Sequence, residues 1–436
     1  MTASTQTMLG AETLSRLADQ YFDRLGLDWR RRGRMLDSRD ADFLALKKTD
    51  ARMLAAAEAF THLGSSSVGQ THQRMADPLT ARDLFAATIQ AVSTQESSLF
   101  AACMAVAGTQ PSMGTAFLEA ADWCATMSPE ATEHAWRSFK PDGVISDIHL
   151  LFALASLRST PRAQSAHVWA KPLLDIAIER HTALAYSLDL ARLHGWPQWD
   201  VQAEHALTHG DTSVRAAAVR FLLVRGSSRQ RQAACHTGSA IACDANPQGN
   251  TLVGPLILEN NQAASQILTI LQRNPMLQNR FTEALAWSGM ARAIDWLIPM
   301  LDQAVHARHA AEAITLLTGS DPRHDAWLAA SPDTSSLADH ALPHDRSERD
   351  SPWPDKHGFE SWWMNNRKNF DPERRYLLGR EVDRMHLLQL LHSAPLRWRP
   401  MIAWHLQRLD PDCVLITDLP ASTQCAYLSR FTESCS

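Results

Sequence analysis

Three segments of the sequence share a spacing of small residues that limits what the chain can fold into. They end at Gly64, Gly226 and Gly319, and alanines occupy the positions eight and nine residues before each glycine. Small side chains let neighbouring helices approach closely, and a terminal glycine adopts the left-handed conformation that ends a helix. The pattern predicts inner helices of a stack.

The same glycines belong to a longer series with a nearly constant period. Gly195, Gly226, Gly289 and Gly319 are separated by 31, 63 and 30 residues, with one degenerate unit, "DANPQGNTLVGP", in the middle. A fixed period of this length is the sequence signature of repeat architectures. We therefore expect an all-α chain, built as a right-handed α-solenoid of short helical pairs.

Composition agrees with a helical protein and argues against some partners. Hydrophobic residues make up 45% and charged residues 20% of 436 residues, and alanine and leucine outnumber the β-branched residues. The net charge is −5, so no global positive field attracts nucleic acid or anionic lipid. A nucleic-acid partner is therefore disfavoured.

The N-terminal sequence, the lengths of apolar segments and the cysteines predict where the protein is located. The N-terminal residues lack a basic region followed by an apolar core, and no segment approaches the ~18 apolar residues of a membrane span. These features predict a cytoplasmic protein without membrane insertion. Seven scattered cysteines, an odd number, fit reduced thiols better than a disulfide framework.

The pattern divides the chain into four predicted regions. An N-terminal helical cap with the first repeat helix spans 1–64, and we interpret its stretch 27–64 as a charged loop followed by the first good inner helix. A HEAT-like repeat array spans 65–330, and a C-terminal helical unit spans 357–436. Between them, 331–356 contains four prolines, no glycine and six acidic against three basic residues, which predicts an exposed acidic linker.

Several blocks carry a resemblance to a known family. The second helix of one pair, starting at Asp211, reads Asp-x-x-Val-Arg-x-x-Ala, which resembles a HEAT-type repeat capped by Asp211 or Thr212. The blocks "RMLAAAEAFTHLG", "SPWPDK", "ESWWMNNRKNFDPERRYLLG" and "LRWRPMIAWHLQRLDPDCVLITDLPASTQCAYL" resemble an uncharacterised family of bacterial HEAT-repeat proteins. Members of that family are often encoded near type VI secretion genes. The unit here is shorter than the ~40–47 residues of HEAT repeats.

The resemblance implies a function in binding. Stacked helix pairs expose a long curved surface, which suits a non-catalytic protein-binding scaffold, adaptor or chaperone. The resemblance further implies that the partner is a component or effector of a type VI secretion apparatus. The alternative from another class is a HEAT-repeat nucleic-acid-binding protein or DNA glycosylase-like enzyme. A basic concave face with a central aspartate would favour that alternative.

Histidine-containing groups are the first chemical candidates. His205 and His209 are four residues apart and can share one side of a helix, but no catalytic glutamate lies between them. His306, His309 and Glu312 also share a helix face. We interpret both groups as solvated helix surface and predict no metal site.

Cysteines provide a further candidate, which we also interpret as structural. Cys235-His236 and Cys243-Asp244 lie in a repeat connection, without a second pair at zinc-ribbon spacing. No glycine-rich phosphate loop or nucleophile elbow is present in the sequence. We therefore predict no enzymatic activity, no catalytic residue and no cofactor.

A basic run near the N terminus allows two interpretations. "WRRRGR", Trp29–Arg34, could bind phosphates. Aspartates flank the run on both sides, at Asp28, Asp37, Asp40 and Asp42, so a locally neutral, salt-bridged cap is the favoured interpretation.

The densest aromatic and arginine segment spans 360–379. Consecutive helical residues point about 100° apart, so we expect one of Trp362 and Trp363 to be buried and the other to be available. Trp, Tyr and Arg are enriched at binding hot spots. The predicted partner-binding residues are Trp362, Trp363, Arg367, Arg374, Arg375, Tyr376, Arg397 and Trp398. If this block only closes the array, the binding surface is expected around Arg215 and Arg220.

Overall fold

The computed structural model describes residues 3–138, 146–158, 173–259, 261–330 and 351–433. These residues are mostly helical, which confirms the all-α prediction. Within them, strands are limited to one hairpin, β1 Tyr376–Leu377 and β2 Arg380–Glu381, and two isolated bridges. None of the described helices combines the length and the apolar character that crossing a membrane requires.

The described residues form 22 helices. The first ten are α1 Ala3–Leu36, α2 Phe43–Leu63, α3 Val68–Met75, α4 Ala81–Ser93, α5 Ser97–Ala107, α6 Pro111–Met127, α7 Pro129–Ser138, α8 Asp147–Ser156, α9 at 173–178 and α10 His181–His194. The others are α11 Asp200–Ala206, α12 Thr212–Arg225, α13 Ser228–Ala242, α14 Gln248–Glu259, α15 Asn261–Arg273, α16 Gln278–Ser288, α17 Ile294–Leu297, α18 Ala307–Thr318, α19 Lys356–Asn366, α20 Arg384–Ser393, α21 Arg399–Leu409 and α22 Ala421–Glu433.

The chain forms two compact units. The first unit comprises Met1–His194, His392–Arg397 and Leu415–Ser436, and the second comprises Gly195–Leu391 and Trp398–Val414. The boundaries predicted at 64, 330 and 356 follow the sequence pattern instead and remain predictions.

The core of the first unit is built around three phenylalanines. Phe100 on α5, Phe117 on α6 and Phe152 on α8 have ring centroids 4.9 to 5.8 Å apart. All three rings are almost completely buried. Their packing joins these three helices by apolar burial, the main favourable contribution to folding.

The N-terminal region differs from its prediction. Residues 27–36, predicted as a loop, belong to the long helix α1. Arg32 on this helix is buried and donates to Asp50 on α2 across 2.9 Å and to the carbonyl of Leu419. Arg32 therefore pairs with a buried carboxylate, although Asp50 is not one of the flanking aspartates that the salt-bridged interpretation of "WRRRGR" named.

Glycine ends most of the predicted helices in the expected way. Gly195, Gly289 and Gly319 have φ angles of 68°, 67° and 72°. Gly64 also has a positive φ of 59°, but its ψ of −156° lies outside the left-handed helical conformation. Gly226 is an exception, since its φ of −70° and ψ of 155° are extended. The next helix begins almost at once, with Ser227 as its N-cap, and this direct entry requires an extended residue rather than a left-handed one.

Small residues set the spacing of helices in the second unit. Ala217 and Ala218 on α12 and Ala310 on α18 are fully buried. Asp211 caps α12 by accepting from the Ser213 amide across 2.7 Å, as predicted. In the degenerate repeat, Gly254 on α14 lies directly against the indole of a tryptophan on α16. These helices can therefore pack closely because small residues occupy the contact positions.

The acidic segment is described only at its C-terminal end. Residues 331–350 lie outside the described part of the chain. Residues 351–356 are not the exposed linker that the sequence predicted, because Pro354 and Ser351 are buried. The amide of Asp355 donates to the carbonyl of Trp327 across 2.6 Å, and the amide of Ala329 donates to the carbonyl of Trp353. These backbone bonds hold the end of the segment against 327–329.

Candidate functional site

A cleft of about 290 Å³ opens on the surface of the second unit. Its lining residues come mainly from α15, α16 and the segment from Met290 to Trp296, and Arg375 lines it as well. We call it the Trp296 cleft. Leu268 on α15 and Phe281 and Leu285 on α16 supply apolar walls.

Trp296 is the most prominent side chain of this cleft. The residue is 49% exposed, and its indole meets the Phe281 ring edge-on at a centroid distance of 6.3 Å. Ile294, Leu297 and Leu301 are buried and recur at helical steps of three and four residues. Trp296 lies off this apolar stripe, so the fold directs the indole away from the core.

Helix α15 contributes a polar rim. Its own apolar stripe, Ala263, Ile267 and Leu271, is buried. Ser265 and Thr269 lie on the opposite side and line the cleft beside half-buried Leu268. The rim offers hydroxyl groups for hydrogen bonding but no charge.

Arg375 reaches the cleft from the β1–β2 hairpin. The hairpin caps two helix ends: the Tyr376 amide donates to the Gly289 carbonyl across 2.6 Å, and the Leu378 amide donates to Leu316 across 2.6 Å. Helix ends leave carbonyl groups without intrahelical partners, which explains why an extended segment binds there. The guanidinium of Arg375 donates to the Ser288 carbonyl across 2.7 Å.

The electrostatic environment of Arg375 is unusual. The side chain is half-buried, and burial lowers its pKa, with Arg408 and Arg292 lowering it further. His405 is buried nearby, and burial together with Arg375 lowers its pKa to about 3, so the imidazole is neutral. Among the described residues, no carboxylate forms an ion pair with Arg375. Arg375 therefore gives the cleft a cationic group that no carboxylate of the described residues pairs with.

An aromatic cluster supports the hairpin. It consists of Trp327, Phe359, Trp362, Trp363, Phe370 and Tyr376. Phe359 lies 4.9 Å from Trp327, and Phe370 lies 5.4 Å from Trp363 and 5.0 Å from Tyr376. The Tyr376 hydroxyl accepts from the Asp371 amide across 2.8 Å. The cluster thus fixes the residue that follows Arg375.

The structure separates the residues of the predicted partner-binding block. Trp362 and Trp363 are both half-buried, with nearly parallel rings 6.5 Å apart, so the expected division into one buried and one available indole is wrong. Both indoles lie beside Phe359 on α19, which lets them share one aromatic layer although consecutive side chains diverge. Their role in binding remains a prediction.

The other predicted residues occupy different environments. Arg374 is exposed and bonds to Glu381, while Arg367 is exposed. Trp398 is buried and donates to Glu312 across 3.0 Å. Arg397 belongs to the first unit. Of the eight residues predicted from sequence, only Arg375 lines the Trp296 cleft.

The remaining candidates are held by ordinary structural contacts. His209 accepts from the Asp211 amide across 3.0 Å. Cys235 is buried, and burial raises the pKa of its thiol to about 11. Arg215 bonds to the carbonyls of His209 and Gly210. Over the described ranges, no group of three or more His, Cys, Asp and Glu side chains is arranged to hold a metal ion.

Sequence reasoning missed a buried charged cluster in the first unit. Arg158 lies 3.1 Å from Asp122 and 2.9 Å from Asp418. Burial raises the pKa of the Asp122 carboxyl to about 7, against the opposing effect of Arg158 and with support from Asp418 and Glu119. Arg158 thus pairs with two carboxylates, and both Arg158 and Arg32 act against the rise in the pKa of Asp122.

No family model matches this chain, and neither a curated protein nor a solved structure matches it.

Proposed function

We propose that the chain is a non-catalytic protein-binding scaffold, an adaptor or chaperone, and that a segment of its protein partner docks in the Trp296 cleft. The half-exposed indole of Trp296, set above an apolar cleft, carries the proposal. Tryptophan and arginine are the residue types most enriched among binding hot spots. Here they line the same cleft.

The size of the cleft favours side chains over a cofactor. Its volume of about 290 Å³ lies at the lower limit of the ~300–1,000 Å³ usual for small-molecule sites. A space of this size accommodates one or two apolar side chains of a docked segment. Its open, apolar wall is also typical of surfaces that receive a partner.

The family resemblance supports a finer version of the proposal. In that version the helices form a right-handed α-solenoid of short HEAT-like pairs in the bacterial cytoplasm, and the partner is a component or effector of a type VI secretion apparatus. The net charge of −5 gives the nucleic-acid alternative no support. A docked protein segment remains the best-supported occupant.

Site-specific photo-crosslinking tests this proposal. A benzoyl-phenylalanine residue replaces Trp296 in one variant and Val201, which is 60% exposed on α11, in a control variant. Both variants are expressed in the native host and irradiated, and the cross-linked peptides are identified by mass spectrometry. We expect one protein segment to be captured at position 296 and not at position 201. Equal capture at both positions, or none at position 296, would refute docking in the cleft.

A further inference from the structure

We infer that the segment bound in the Trp296 cleft carries a carboxylate, which Arg375 binds, next to an apolar side chain seated against Trp296. The inference rests on the proposed function and specifies the chemistry of the partner. It follows from the charges of the residues that line the cleft.

Arg375 is half-buried and has no anionic partner among the described residues. A buried cation is costly unless it is paired, and buried charges in proteins are usually paired or hydrogen-bonded. The only hydrogen bond of this side chain in the described structure is to the neutral carbonyl of Ser288. A guanidinium has five N–H donors in a planar fork that matches a carboxylate. Arg375 therefore has N–H donors left that can bind a group in the cleft.

The groups around Arg375 increase the positive potential. Arg292 also lines the cleft, and Arg408 lies close enough to lower the pKa of Arg375. Glu373 approaches Arg292 only to 3.8 Å on the exposed surface. His405 is neutral. The only titratable side chains lining the cleft, within the described residues, are the two arginines.

The neighbouring arginine provides an internal contrast. Arg374 precedes Arg375 in the chain, yet it is exposed and donates to both oxygens of Glu381 at 2.7 and 2.6 Å. The two arginines therefore differ in their partners, since Arg374 pairs with Glu381 and Arg375 lines the cleft. One guanidinium is neutralised by the hairpin itself, and the other points its charge toward the cleft. An acidic-apolar protein segment satisfies both the charge of Arg375 and the indole of Trp296.

A display selection tests the inference with a defined probe. A library of random 12-residue peptides is sorted for binding to the full chain, and peptides that also bind Trp296→Ala are discarded. We expect the enriched peptides to carry Asp or Glu close to Trp, Phe or Leu. Replacing that acid by its amide should weaken binding to the wild type by about tenfold or more.

Variants at Arg374 and Arg375 show which arginine causes the preference for acid over amide peptides. Arg375→Gln should remove the difference in affinity between acid and amide peptides, and Arg375→Lys should retain part of that difference. Arg374→Gln should leave the difference unchanged. Melting curves of each variant verify that the fold is intact. Peptides that need Trp296 but bind equally well as acid and amide would overturn the inference and leave the proposed function standing. If every peptide that binds the wild type also binds Trp296→Ala, so that none survives the selection, both fail.

Discussion

Substituting Gly254 by alanine tests how α14 and α16 position the cleft. A Cβ atom at Gly254 would lie less than 3.0 Å from three indole atoms of Trp287. Real Cβ atoms essentially never approach other atoms to less than 3.0 Å. Overpacking of this kind costs about 1–3 kcal/mol, and we take the upper value because the obstacle is a rigid ring. Alanine recovers about 1 kcal/mol through its higher helix propensity. The net loss is about 2 kcal/mol.

Calorimetry measures this loss as a change in melting temperature. For a unit of roughly 200 residues, 2 kcal/mol corresponds to a Tm about 4–8 °C lower. Gly33→Ala is the matched control, because Gly33 also lies inside a helix but has open space around it. That control should leave Tm unchanged or slightly raise it.

A double variant distinguishes steric overlap from other causes. Removing the indole in Trp287→Ala leaves room for the new methyl group, so Gly254→Ala should cost much less in that background. The coupling between the two changes should be about 0.5–3 kcal/mol. A single variant that melts like the wild type, or purely additive effects, would refute the packing argument.

Three further outcomes are expected. Trp362→Ala and Trp363→Ala should each lower stability by about 2 kcal/mol in thermal unfolding, because both indoles are half-buried in the aromatic cluster; an unchanged Tm for either would contradict this. Asp122 binds its proton more tightly in the folded state, where its pKa is about 7, than in the unfolded state. Its contribution to stability should therefore fall as pH rises from about 4 to 7, by up to about 1.4 kcal/mol per unit, and Asp122→Asn should remove that slope in pH-dependent denaturation. Limited proteolysis should cut first within 331–350, as its prolines and charges predict, and not within 351–356, which is backbone-bonded.

The helical fold class and several helix ends could be predicted from the sequence because they depend on local chemistry. Glycines 195, 289 and 319 end helices with positive φ because only the local backbone decides that conformation. Gly226 could not be predicted from its own position, since its extended φ depends on the cap that begins the following helix.

The site depended on contacts between distant segments, so sequence reasoning found only part of it. Arg374 and Arg375 are indistinguishable in the sequence, and only the hairpin assigns one to Glu381 and the other to the cleft. Trp296 carried a usable signal, because it lies off the stripe formed by Ile294 and Leu297. That signal indicated exposure, but the cleft walls come from α15 and α16 and were not predictable.

The affinity of the docked segment is the most direct test of the central claim. The segment captured by photo-crosslinking is synthesised, and calorimetric titration measures its Kd for the wild type, Trp296→Ala and Val201→Ala. Trp296 is 49% exposed, so docking covers about 120 Å² of indole at about 25 cal/mol per Å², or about 3 kcal/mol. We predict that Trp296→Ala weakens binding by about 150-fold and that Val201→Ala leaves it unchanged. Equal affinity of the wild type and Trp296→Ala would contradict the account.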